Sequence, residues 1–196
     1  MFKHAVIKRV LLGVLAMSLA ACHVVDLDEN GKPIIPMSAA DAGLLKNMTP
    51  EKISDKLWPL INKEAHEKAI ELSTIGKNEN LISFVRFQGK VSRFDQTSLK
   101  TSLVVNSGGR DIKLQIGKII KGNSIRDSAS LISFDQFKNQ IQFAQLSKAL
   151  NKKAINQIEQ PDATWVGKTV TVLAALTIKA NKITHAVPIE IKEGAM

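Results

Sequence analysis

Between Ile112 and Asn151 the hydrophobic pattern changes period, and that change limits the folds open to the chain. Ile112, Leu114 and Ile116 alternate with Lys113 and Gln115, so one face of a strand is apolar and the other polar. Gly117 and Gly122 then bracket Ile119 and Ile120, and glycines within a strand pattern mark a bulge or a bend. Gly122-Asn123-Ser124 reads as loop. Beyond it, Phe134, Phe137, Ile141, Ala144 and Leu150 recur at spacings near three and four, and Phe143 and Leu146 widen the stripe. Ser133 and Gln136 have capping-box spacing, with Ile132 and Phe137 at the staple positions. A helix is predicted over 134–155, its stripe facing a core. A chain that passes from a half-buried strand to an amphipathic helix belongs to a mixed class.

The flanks extend this pattern. Thr49-Pro50-Glu51 combines an N-cap, a proline at the first helical position and an acid in the first turn, with Met48 and Ile53 as the staple. Ile53, Leu57, Leu60 and Ile61 form an apolar stripe, and Trp58 reads as packing. Pro59 is expected to kink or restart the helix, because it lacks an N–H and clashes with the preceding turn. A second segment runs through Ala65, Ala69, Ile70 and Leu72 to a stop near Gly76, giving helices over 49–75. Strand patterns follow: Leu81–Phe87, a break or bend at Gly89, and Val91–Phe94. Leu99–Val105 and Asp111–Ile120 form a hairpin through Asn106-Ser107-Gly108-Gly109-Arg110. After a turn at Gln160-Pro161-Asp162, Val170, Val172, Ala174, Leu176 and Ile178 alternate with threonines. Asn181-Lys182 turns the chain, and Ile183, His185, Val187, Ile189 and Ile191 alternate again. The expectation is an α+β fold: an antiparallel, barrel-like sheet with N-terminal and inserted helices.

The run Leu114-Gln115-Ile116-Gly117, with Gly122, Arg126-Asp127, Phe134, Phe137 and Asn139-Gln140, resembles a family of bacterial periplasmic lipoproteins of unknown function. Weaker similarity covers Gly89-Lys90-Val91 and Gly167-Lys168-Thr169-Val170. The resemblance implies an OB-like barrel with added helices. It also implies a link to sugar uptake, because genes of the family often lie near those of sugar ABC transporters. It carries no catalytic or binding residues.

The N-terminus supplies an address. Lys3, Lys8 and Arg9 make a positive region, Val10–Leu15 begins an apolar one, and the segment ends in Leu19-Ala20-Ala21-Cys22. That is a lipobox, so residues 1–21 read as a lipoprotein signal peptide and Cys22 as the lipidated residue. Acyl chains, such as palmitate, on the thiol would hold the protein on a membrane at about 0.8 kcal/mol per buried methylene. Cys22 is the only cysteine, so its acylation leaves no thiol for a disulfide or a metal. His23, rather than Asp, follows it and favours the outer membrane over the inner. Residues 22–48, with Gly31, Pro33 and Pro36, read as a tether, and 49–196 as one globular domain. Losing Lys3, Lys8 and Arg9 lowers the formal charge from +9 to +6. Export counts against nucleic acid as a partner; anionic lipid and cell-wall polymers are the available ones, beside the favoured reading of a simple solvated basic face.

No chemistry is spelled out. The nucleophile motifs are absent, and His66-Glu67 lacks the second histidine of a zinc helix because position 70 is isoleucine. His185, on an apolar strand face, reads as a core histidine. No metal and no cofactor is expected. Arg126-Asp127 is the leading pair, either a ligand site or, as favoured, a structural tie of the loop before the helix. Asn139 and Gln140 are candidates for the same region. Trp165 either stacks on a ligand or plugs the barrel end. The reading is a membrane-anchored, non-enzymatic accessory or binding module, with ABC transporter components as partners implied by the resemblance. The alternatives are a lipid- or cell-wall-active hydrolase and an OB-type nucleic-acid binder. Arg126, Asp127 and His185 would have to converge for the hydrolase.

Overall fold

The computed structural model describes residues 43–76 and 80–194. The signal segment 1–21, Cys22 and residues 23–42 of the tether lie outside the described residues.

Helix α1 spans Pro50–Lys68. The Thr49 hydroxyl accepts from the Lys52 N–H at 3.4 Å, and Pro50 sits where its missing N–H would be unpaired anyway. Pro59 neither breaks nor restarts the helix, which runs through it. A proline inside a helix costs about 3 kcal/mol. The buried stripe of Ile53, Leu57, Trp58, Ile61 and Ala65 outweighs it, since each large apolar side chain contributes about 1.5–3 kcal/mol when buried. The second helical segment expected through Ala69, Ile70 and Leu72 does not form. Instead β1 (Ile70–Glu71) pairs in parallel with Val85 and Arg86, and Leu72–Thr74 make a single 3-10 turn. A sheet edge supplies backbone partners here, and tertiary pairing overrides local helix preference.

The sheet contains β2 (Leu81–Gln96), β3 (Thr101–Ser107), β4 (Arg110–Gln115), β5 (Thr169–Lys179) and β6 (Lys182–Glu193). Their order is β4-β3-β2-β5-β6, all antiparallel, with β1 beside β2. β2 is the pivot: residues 81–90 pair with β5 and residues 90–96 with β3. Gly89 lies at the handover. A Cβ there would stand 2.4 Å from the Asn106 carbonyl oxygen and 2.7 Å from Val105 Cγ1, so glycine lets β3 close in. Of the break or bend expected at Gly89, no break occurs: one strand runs through it. A register shift between Val91 and Arg93 adds to the curl, and β4 and β6, at opposite ends of the order, come together. The β3–β4 and β5–β6 hairpins turn through paired positive-φ residues, Gly108-Gly109 and Ala180-Asn181, the geometry that matches strand twist.

Two strand expectations change. β4 ends at Gln115, not Ile120, because the next residues cross the end of β3. Ile116 N–H donates to Thr101 O and Ile119 N–H to Leu99 O, while a Cβ on Gly117 would lie 2.3 Å from Thr101 N. The Gln115 amide clips the segment shut by donating to Lys121 O at 3.0 Å and accepting from Lys121 N–H at 2.8 Å. β5, which alternates like a half-buried strand, is buried on both faces from Val170 to Ile178. Its second face meets α2 (Ser124–Ser128), where Ser124 Oγ and Thr177 Oγ1 share a buried hydrogen bond of 2.8 Å.

The inserted helix starts later than predicted. The Gln136 side chain accepts from Ser133 N–H, but the pair closes only a 3-10 turn, Phe134–Gln136. Helix α3 spans Gln140–Gln157, capped by Asn139, whose Oδ1 accepts from Gln142 N–H at 2.9 Å. The restart rotates the stripe. Leu146, Ser147, Leu150, Asn151, Ala154 and Ile155 are buried, whereas Ala144 is exposed and Ile141 is 68% exposed. The Gln142 amide also donates to Leu45 O and Met48 O, which fixes the fully buried Leu45 beside α3.

Candidate functional site

Arg126 and Asp127 both sit on α2 and bond each other. Arg126 Nε donates to Asp127 Oδ1 at 2.7 Å, and Nη2 lies 2.6 Å from the same oxygen. Nη1 donates to Phe143 O at 3.2 Å, and the guanidinium carbon stands 3.8 Å from the centre of the Phe143 ring. The Phe143 ring in turn touches Phe134 and Phe137. The Arg126 side chain is 10% exposed and that of Asp127 32%. The long arginine side chain folds back over its neighbour. The geometry is that of a tie between α2 and α3.

The other candidates are spread apart. Asn139 is spent as the α3 cap, and Gln140 is exposed at the first helical position. Trp165 is 5% exposed on a 3-10 turn, Ala163–Trp165, and belongs to the core. Asp162 holds that turn by accepting from Thr164 N–H at 2.8 Å. The Thr164 bonds hold the Asp162 carboxyl below its ordinary value. His185 is half-buried on β6, at the position a Cβ on Gly122 would strike. Arg126 and Asp127 engage each other and Phe143, not His185.

A concave site that motif reading missed lies between the 116–120 segment and α3. This groove encloses about 820 Å³, within the usual range for small-molecule sites. Ile116, Ile119, Ile120 and Ile155 supply apolar walls, while Lys118, Lys148, Lys152, Asn151, Asn156 and Gln160 supply polar ones. None of the lining residues is acidic. Among the described residues, no carboxylate pairs with Lys118, Lys148 or Lys152. Asn151 is 3% exposed. Its Nδ2 donates to Gly122 O at 3.1 Å, which fixes the amide orientation because a carbonyl only accepts. Its Oδ1 is then a buried acceptor without a partner. Such an atom costs about 1–3 kcal/mol unless something donates to it. A sequence signal existed: Lys148, Asn151, Lys152 and Asn156 fall at one-face helical spacing. It went unread because Ile141 and Ala144 set the helix phase wrongly.

The curled antiparallel sheet with its few helices defines an α+β half-barrel of the OB type. The chain belongs to the family described as predicted periplasmic lipoprotein (DUF2291), whose model matches residues 12–192. A crystal structure of an OB-fold protein from Thermotoga maritima MSB8 is similar, with a TM-score of 0.54 at 14% identity. The match covers 75% of this chain and 99% of that one; at such identity the likeness concerns the fold alone. Comparison with curated proteins finds no match.

Proposed function

We propose that the protein is a non-enzymatic binding module of the cell envelope, anchored by lipid on Cys22, with the groove between residues 116–120 and α3 as its ligand site. In this reading residues 1–21 are removed, the tether runs from Cys22 only as far as the segment packed around Leu45, and the rest folds as the binding domain. The observation that carries it is a groove of ligand size, about 820 Å³, whose walls combine four isoleucines with three lysines and no acid. Arg126, Asp127, Asn139 and Trp165 serve the scaffold, and Gln140 faces water. The hydrolase alternative lacks support, because Arg126 and Asp127 bond each other and Arg126 bonds Phe143 O, rather than converging on His185. A sugar uptake system as the partner, and the outer membrane as the site, rest on the family resemblance and on His23.

The test is native mass spectrometry of the lipoprotein extracted from its own membranes, beside an Asn156→Trp variant. Asn156 is exposed on the groove face of α3, so an indole there fills the groove without entering the core. The expected result is a co-purifying small molecule on the wild type that the variant lacks, with equal melting temperatures. No bound mass on the wild type, or the same mass on both, overturns the reading.

A further inference from the structure

We propose that the groove accepts an amphiphilic anion: a phosphate or carboxylate head on the lysine rim and an apolar body against the isoleucines. This rests on the groove being the ligand site and names its ligand class. Lys118 stands on one wall, and Lys148 and Lys152 are one turn apart on the other. Three cations around one opening with no acid among the lining residues repel one another, and an anion at the opening relieves that repulsion. The apolar part is equally specific. Ile119 is 44% exposed on the groove wall, and Ile116, Ile120 and Ile155 continue the surface inward, where a hydrocarbon gains by leaving water. The wall is held ready: the Gln115–Lys121 clip and the Ile119–Leu99 bond hold the 116–121 segment without a ligand. Little ordering cost is left for binding.

The experiment uses the full-length lipoprotein in phosphatidylcholine nanodiscs and reads lysine acetylation site by site. The probes are octyl phosphate, octanol and inorganic phosphate. Octyl phosphate should slow acetylation of Lys118, Lys148 and Lys152 at least about tenfold more than either half-probe, leaving Lys113 and Lys192 unaffected. The Lys148→Gln/Lys152→Gln variant should bind octyl phosphate about tenfold more weakly and octanol unchanged. Equal effects of octanol and octyl phosphate would sink the anionic class while leaving the groove as a ligand site. No protection by any probe would sink the groove itself. Replacing part of the phosphatidylcholine with phosphatidylglycerol separates the sources. Protection without added probe identifies a bilayer lipid as the anion; protection only with octyl phosphate identifies a free ligand.

Discussion

Replacing Arg126 or Asp127 with alanine should have unequal effects, and the inequality follows from exposure. Arg126→Ala removes three interactions. The charged hydrogen bond to Phe143 O (3.2 Å) contributes about 1.5–3 kcal/mol. The stacking on the Phe143 ring (3.8 Å) contributes about 0.5–2 kcal/mol. The pair with Asp127, whose side chain is 32% exposed, is screened and adds about 0–1 kcal/mol. Shared geometry makes these less than additive, so about 3 kcal/mol is expected. Asp127→Ala leaves the guanidinium on its carbonyl and ring, and water enters the open place of the carboxylate. About 1 kcal/mol is expected. At about 2–4 °C per kcal/mol for a domain of this size, the melting temperature falls by about 6–12 °C and 2–4 °C respectively. Thermal unfolding followed by far-ultraviolet circular dichroism measures both. Arg126→Lys should recover little, because an ammonium lacks the planar face and the forked donors. Equal losses, or a larger loss for Asp127→Ala, would refute the exposure argument. Unchanged melting in both would show that the pair does not tie α2 to α3 and make it a ligand-site candidate again.

Further predictions concern the anchor, the bend, metal and pH. Cys22→Ser should release the protein or leave an uncleaved precursor, as fractionation and intact mass would show; a processed, membrane-bound variant refutes lipidation. Gly89→Ala should cost more than about 2 kcal/mol, because its Cβ would strike the Asn106 carbonyl, a backbone atom that has no rotamer to yield. Gly43→Ala, with nothing within 4 Å of its Cβ, serves as the neutral control in the same denaturant titration. Chelator should leave the melting temperature unchanged; a fall of many degrees would reveal a metal site. The depressed carboxyl of Asp162 stabilises the Trp165 turn fully above its ordinary value of 3.8 and loses that contribution as pH falls below it. In a Trp58→Phe background, Trp165 emission should therefore change on acidification, and Asp162→Asn should blunt the change.

Much of the fold was legible because its signals are local. Thr49-Pro50 marks the start of α1, Gly108-Gly109 a hairpin, and the β5–β6 alternation two paired strands, each readable within a few residues of itself. The failures share a cause. Pro59 stays helical, Ile70–Glu71 turn to strand and β4 stops at Gln115 because distant partners decide them: the core under α1, the edge of β2 and the end of β3. The candidate site was less legible. Arg126 and Asp127 stood out as a motif yet bond each other, while the groove needs residues 116–120 set against a helix about thirty residues on.

The sequence by itself determined the mixed α+β class, since periodicity needs no tertiary partner. Only the tertiary structure decided that Ser133 closes a single turn and that Asn139 starts α3. That shift carries Asn151, Lys148 and Lys152 to the groove and leaves Ile141 in water. The physical reason is phase. Each residue of displacement rotates a helical face by about 100 degrees, and the packing of α3 on α1 and β6 sets that phase.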